Sequence, residues 1–167
     1  MCATRSSRAL QVVGHAHALL SVLAMFSMLS ISRASAAPPQ WAVAVLPSGH
    51  EFSLEIAADN ATRERGYMFR EHVGAREGML FIFDAAERHS FWMKNCRISL
   101  DIVWLDAAFR VVDIARDAAP CPQDGECPSM QPAEPARYVV EFAAGTSASE
   151  GLRRGTPIVV LSEPPLR

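Results

Sequence analysis

Apolar and polar residues alternate from Cys96 to Leu105. Cys96, Ile98, Leu100, Ile102 and Trp104 share one parity; Asn95, Arg97, Ser99 and Asp101 share the other. Strand side chains point to opposite faces in turn, so Phe91–Leu105 predicts a strand with one buried and one polar face. Val103 and Leu105 break the polar parity, which predicts burial on both faces at the far end. Trp41–Leu46 and Glu51–Ala57 flank a Pro47-Ser48-Gly49 turn and predict a hairpin, with Phe52, Leu54 and Ile56 inward. The apolar run Gly78–Phe83 predicts a buried strand, followed by a polar connection over Asp84–Ser90. Arg110–Arg116, Arg137–Phe142 and Pro157–Leu161 complete the strand set, with Tyr138, Val140 and Phe142 on one face.

Helical signals are few. Asp59–Thr62 supplies caps for a short helix over Arg63–Phe69, and Glu64 suits the positive end of its dipole. Gly66 inside it signals close backbone approach, and Met68 and Phe69 are expected to fill the core. Gly145–Leu152 reads as a turn or short helix. Asp117–Ala136 is proline-rich and aperiodic, a long surface loop of the kind that often carries function. The expected architecture is mainly β (β-rich α+β): a compact curled antiparallel sheet, barrel- or sandwich-like, with one or two short helices.

The start of the chain follows other rules. Arg5 and Arg8 precede the apolar run Ala18–Ile31, and Ala34-Ser35-Ala36 follows it. These predict a secretory signal peptide over 1–36, cut after Ala36. The run is shorter than the roughly 20 residues that span a bilayer, so membrane contact is expected only in passage. A lead-in over 37–42, one domain over 43–161 and a tail over 162–167 follow. The chain holds 16 basic and 18 acidic residues; the leader removes Arg5, Arg8 and Arg33, leaving 13 against 18 and a net charge of −5. An acidic, exported chain, periplasmic or secreted, does not suit nucleic acid, which asks for basic patches. In an oxidising compartment Cys121 and Cys127 are expected to form a disulfide that fixes loop shape. Its loop is small, so its stabilisation falls below the roughly 3 kcal/mol of a 15-residue loop. Cys96, on the apolar parity, reads as a small hydrophobe.

Motifs in order carry a resemblance: Thr62-Arg63-Glu64-Arg65-Gly66-Tyr67-Met68-Phe69-Arg70, Gly78–Phe83, Phe91-Trp92-Met93-Lys94-Asn95-Cys96, Leu100-Asp101-Ile102 and Tyr138-Val139-Val140-Glu141. Together they resemble the domain of unknown function 192, also called uncharacterised protein family 0127, over about residues 43–161. The resemblance implies a single compact β-rich domain, often exported, and brings no biochemical role. Tyr67 stands where leucine is common in that family, and Cys96 where threonine is common.

Arg70, Lys94, Asn95 and Asp101 are the polar residues of these motifs. With Trp92 as an aromatic platform they form the expected ligand site, with Arg70 or Lys94 meeting an anionic group. The competing reading pairs Asp101 with Arg65, Arg70 or Lys94 to neutralise a half-buried carboxylate. Lys94 and Asn95 are neighbours, so they can share a site only if the chain bends between them. Asp101 and Glu141 offer a carboxylate pair for glycoside hydrolysis if they stand roughly 5–10 Å apart. Trp104 and Tyr138 read as core. Met68, Met79 and Met93 fit core gap-filling better than copper, and His50, His72 and His89 lack ligand spacing, so no metal or cofactor is expected. No serine elbow, phosphate loop or zinc-hydrolase motif is present. The sequence therefore points to a module binding a small polar ligand or another envelope component without turnover. A hydrolase using Asp101 and Glu141, or a purely structural envelope protein, are the alternatives.

Overall fold

A computed structural model of the chain describes residues 40–122 and 124–162. The expected leader, its cleavage after Ala36, the lead-in up to residue 39 and residues 163–167 lie outside the described residues. The elements in order are β1 (Trp41–Val45), β2 (Glu51–Ala57), α1 (Asn60–Arg65), β3 (Glu77–Glu87), β4 (Leu100–Leu105), β5 (Val111–Ala118), β6 (Ala136–Ala143), α2 (Thr146–Ser149) and β7 (Val159–Ser162).

The seven described strands form one sheet in the order β5-β4-β6-β3-β2-β1-β7. Neighbours run antiparallel except β2 and β3, which are parallel. A hairpin cannot join parallel neighbours; here a crossover carrying α1 does so. The sheet curls far enough for the residues entering its two edge strands to touch. Arg110 and Pro157 form a single antiparallel bridge, Val111 N–H donates to Thr156 O, and Ile158 N–H donates to Phe109 O. The result is a β-rich, mainly antiparallel, curled sheet that stays open rather than closing into a barrel.

Both faces are buried, each over its own cluster. One carries Leu54, Leu80, Val103, Val140 and Phe142. The other carries Met79, Phe81, Ile102, Trp104 and Val139. Three connections roof the second face: Tyr67 and Val73 from the crossover, Phe91, Met93, Cys96 and Ile98 from the β3–β4 segment, and Cys121 and Met130 from the β5–β6 loop. This is why all six residues of β4 are buried. Trp104 keeps its indole N–H satisfied inside by donating to His89 O at 2.9 Å.

Several expectations change. Phe91–Ser99 is not a strand: Phe91 makes one bridge to Met130, and the chain then turns at Lys94–Asn95. Alternation there records which side of an extended connection meets the second cluster, without a neighbouring strand. Asp101 is fully buried instead of lying on a polar face. The helix runs Asn60–Arg65, earlier than expected, because Asp59 caps it: Asp59 accepts from Thr62 N–H, and Thr62 Oγ1 accepts from Asp59 N–H. It stops at Gly66, whose φ is 43°. The reversal puts Tyr67 in the core, with Met68 half-buried and Phe69 58% exposed. Strand β3 also continues through the expected polar connection to Glu87, with a register shift after Ile82.

Candidate functional site

Glu141 lies mid-way along β6, opposite Met79 of β3 and Ile102 of β4. Its parity sends the side chain through the second face, under the three connections. The residue is 5% exposed, and its Oε2 has no hydrogen-bond partner among the described residues. Burial pushes the carboxyl up to about 8, with the Arg70 guanidinium pulling weakly the other way. A sealed carboxyl oxygen without a partner costs stability, and it persists here at the bottom of a cavity.

That cavity, about 240 Å³, lies between the end of α1 and the Ser90–Cys96 segment. Tyr67, Phe81, Phe83, Phe91 and Trp92 form its aromatic walls, with Cys96 beside them. Gly66 makes the geometry possible. A Cβ there would stand 3.3 Å from Phe81 Cζ and 3.6 Å from Glu141 Oε2, and the positive φ already disfavours a side chain. The chain thus passes directly over the carboxyl. Arg63 ties α1 down at the rim, donating to Ala58 O at 2.5 Å and Ile82 O at 2.7 Å, with its guanidinium 5.3 Å from the Phe83 ring centre.

Tyr67 and Cys96, beside Glu141, are also held in their protonated forms. Burial raises the Tyr67 phenol well above its ordinary range, against a lowering pull from Arg70. Burial, helped by Glu141, pushes the Cys96 thiol up to about 11. A thiol with that value is a poor nucleophile near neutral pH. The cavity can take a hydrogen-bond donor and can exchange a proton at Glu141.

A second, wider cleft of about 550 Å³ adjoins the first, sharing Trp92 and Cys96. Phe69, Lys94, Asn95, Arg97 and the disulfide between Cys121 and Cys127 also line it. Lys94 Nζ sits 5.1 Å from the Trp92 ring centre. Phe69 and Asn95 both hold positive φ, 65° and 58°, and Phe69 N–H donates to Asn95 O at 2.8 Å. Asparagine tolerates this backbone region, but a phenylalanine does not readily adopt it, so Phe69 is strain of the kind that gathers at functional sites.

The sequence-derived site residues divide. Trp92, Lys94 and Asn95 come together in the second cleft, because the turn at Lys94–Asn95 supplies the required bend. Arg70 lines neither cavity; it pairs with Glu55 at 2.7 Å and lies over the Tyr67 ring. Asp101 is on the opposite face of the sheet. Neither Arg65, Arg70 nor Lys94 is its hydrogen-bond partner: Asp117 N–H, Ser147 N–H and Ser147 Oγ donate to its carboxylate, and Arg116 in turn donates to Ser147 Oγ at 2.6 Å. Asp101 and Glu141 therefore do not flank a common substrate position. Met79, Met93, Trp104 and Tyr138 are buried core residues. Sequence reasoning missed Tyr67 and Phe81 as cavity walls and Glu141 as a floor; its one available signal was a lone acid in the apolar run of β6.

Comparison with known proteins agrees with this architecture. The chain is 30% identical to a protein of unknown function from Novosphingobium aromaticivorans DSM 12444, with a TM-score of 0.64, covering 74% of this chain and 94% of that one. It is 28% identical to a candidate transcription regulator from Sinorhizobium meliloti 1021, with a TM-score of 0.65 and the same coverage, 74% and 94%. No curated protein matches it. The profile of the DUF192 family, described as Uncharacterized ACR, matches residues 43–160. With most of its length inside that match, the chain belongs to the DUF192 family.

Proposed function

We propose that this domain is an exported binding module that takes a small polar ligand into the cavity under α1, with Glu141 as its recognition point. One observation carries the reading: a carboxyl oxygen sealed from solvent, without a partner, at the base of an aromatic-walled cavity. Ligand sites are concave, mostly apolar and hold a few placed polar groups. The adjoining cleft with Trp92 and Lys94 gives the ligand's outer part a platform and a positive charge. Export is supported by the order of charges, apolar run and small residues before Ala37, and by the bonded cysteines.

Binding is favoured over hydrolysis because the two acids that could have formed a pair leave the sheet on opposite faces. A role in transcription, suggested only by the description of the Sinorhizobium relative, fits poorly with a processed chain of net charge −5. The test is a thermal-shift screen of the protein with sugars, short peptides, small amines and carboxylates, repeated on Glu141→Gln and Trp92→Ala. Ligands that stabilise the native protein raise its apparent stability. A stabilising compound whose effect shrinks in both variants is the expected result. A silent screen, or hits indifferent to both changes, overturns the reading. Export is tested by N-terminal sequencing of protein recovered from the periplasm, where a start at Ala37 is expected.

A further inference from the structure

We infer that the ligand group received by Glu141 is a primary ammonium, which displaces the carboxyl's proton as it binds. This rests on the cavity reading above and names the chemistry that the cavity would select.

Three classes of polar group could meet the Glu141 carboxyl that borders the cavity. An anion could only accept from the protonated carboxyl, gains no opposite charge there, and is repelled once the carboxyl ionises above about 8, so it is disfavoured. A hydroxyl supplies one donor and leaves the carboxyl neutral. A primary ammonium supplies three donors and the opposite charge, and its charge is worth most where solvent is excluded. The walls favour the cation as well. Phe81 and Phe91 meet edge to face with ring centres 5.0 Å apart, and Trp92 closes the outer side. Aromatic faces attract a desolvated cation through the ring quadrupole.

The other charges around the cavity are compatible. Arg63 is committed to backbone carbonyls and to the Phe83 ring. Arg70 is committed to Glu55 and lies outside the cavity. Glu64 and Arg65 stand at the mouth with opposite signs, and both are exposed. Tyr67 and Cys96 remain uncharged near neutral pH, because burial raises both. Arg70 is thus the fixed positive charge that acts on the floor, and its guanidinium is already held by Glu55.

Ammonium binding requires the ionised carboxylate. Below about 8 most empty sites hold the proton, so the ligand must expel it. Apparent affinity then rises about tenfold per pH unit up to that value and levels off above it. A hydroxyl ligand would show no such rise.

The experiment titrates n-butylammonium, n-butanol and n-butyrate separately into the full-length protein. Amide chemical-shift changes are followed at pH 6, 7 and 8.5. The expected result is binding of n-butylammonium at the amides of residues 65–68 and 90–96, about tenfold tighter at pH 7 than at pH 6. It also includes at least a tenfold loss in Glu141→Gln. Phe91→Leu, which keeps the carboxyl and removes one ring, should weaken n-butylammonium more than n-butanol, so the inference remains testable if Glu141→Gln folds poorly. Equal binding of n-butanol at every pH overturns the ammonium assignment and leaves the cavity reading intact. Silence from all three compounds also overturns the assignment; the cavity reading falls with it only if the wider screen is silent too.

Discussion

Asp101 and Glu141 occupy adjacent register positions on paired strands, Asp101 opposite Phe142 and Glu141 opposite Ile102, and they point through opposite faces of the sheet. Both are buried, yet their surroundings differ. Asp101 Oδ1 accepts from Asp117 N–H at 2.8 Å, and Oδ2 accepts from Ser147 N–H at 2.7 Å and Ser147 Oγ at 2.6 Å. Glu141 Oε2 accepts from nothing among the described residues. Burial opposes ionisation at both. At Asp101 the three donors outweigh it and hold the carboxyl below its ordinary value, while at Glu141 burial wins. One acid thus locks α2 to β4, and the other is left available to a ligand.

Glu141 should make the protein less stable as pH rises. Its folded value of about 8 lies above the unfolded value of 4.5, so the folded state holds more protons between them. Its stabilising effect is complete below 4.5, declines as pH climbs through that window, and is lost above 8. Each unit of difference is worth about 1.4 kcal/mol, so the loss across the window amounts to a few kcal/mol. Urea unfolding at pH 5, 7 and 9 should show this decline in the wild type and a flatter profile in Glu141→Gln. The variant should be the more stable protein at pH 9.

Asp101 should behave in the opposite sense. Its depressed value gives stability that is present above the unfolded value of 3.8 and is lost as pH falls through the lower folded one. Asp101→Asn replaces an acceptor with a group that turns an amide toward one of three donors. A cost of about 3 kcal/mol near neutral pH follows from losing a charge-assisted bond and stranding a buried donor. Ser147→Ala should cost less, because Asp101 keeps two backbone donors. In a double-mutant cycle the two changes should be strongly non-additive, since they remove one network.

The local parts of this fold were legible in the chain. The β1–β2 hairpin, the inward parity of Tyr138, Val140 and Phe142, and the close approach at Gly66 all follow from short-range pattern. What failed was the meaning of the other parity. Asp101 and Glu141 each fall among apolar neighbours where alternation predicts a solvent-facing side chain. Their burial depends on α2 and on three connections from distant parts of the sequence, which no local period encodes. The same cause explains Phe91–Ser99: a connection lying on a core alternates like a strand, but beyond the bridge at Phe91 its backbone makes only isolated bonds, from Phe69, Cys121 and Ala144 N–H, and no ladder. Trp92, Lys94 and Asn95 could be singled out by residue type. Glu141 as a recognition point required knowing what roofs it.

Two glycines near Glu141 should differ in what alanine does to them. At Gly78 a Cβ would stand 2.7 Å from Glu141 O and 2.8 Å from Leu54 Cδ2, so backbone of β6 would have to move. Overpacking of this kind typically costs 1–3 kcal/mol, and Gly78→Ala should lie at or beyond the upper end, about 3 kcal/mol. At Gly66 the nearest atoms are side-chain atoms at 3.3 and 3.6 Å, and the larger penalty comes from its positive φ. Because its ψ of −132° lies outside the left-handed region open to other residues, a loss of about 3 kcal/mol is expected there, together with weaker ligand binding, since the new methyl would crowd Oε2. Thermal unfolding measures the two losses, and ligand titration separates the variants. Unchanged stability in Gly78→Ala would contradict the packing described.

Opening the Cys121–Cys127 disulfide should change the cleft more than the fold. The bond closes a loop with a sequence separation of six, which by chain entropy is worth about 2 kcal/mol. The sheet makes no use of that loop: β5 ends at Ala118 and β6 begins at Ala136. The double change Cys121→Ser with Cys127→Ser should therefore lower Tm by several degrees and leave the far-ultraviolet circular dichroism unchanged. Dithiothreitol should reproduce the shift in the wild type and add nothing to the variant. Cys121 N–H donates to Met93 O at 3.3 Å, the carbonyl that also receives Cys96 N–H at 3.2 Å, so loosening the loop reaches the turn carrying Lys94 and Asn95. Fluorescence of Trp92, 48% exposed beside that turn, should report the loosening, whereas the fully buried Trp104 should not. A change at Trp104 equal to that at Trp92 would mean that the disulfide supports the core and not the cleft.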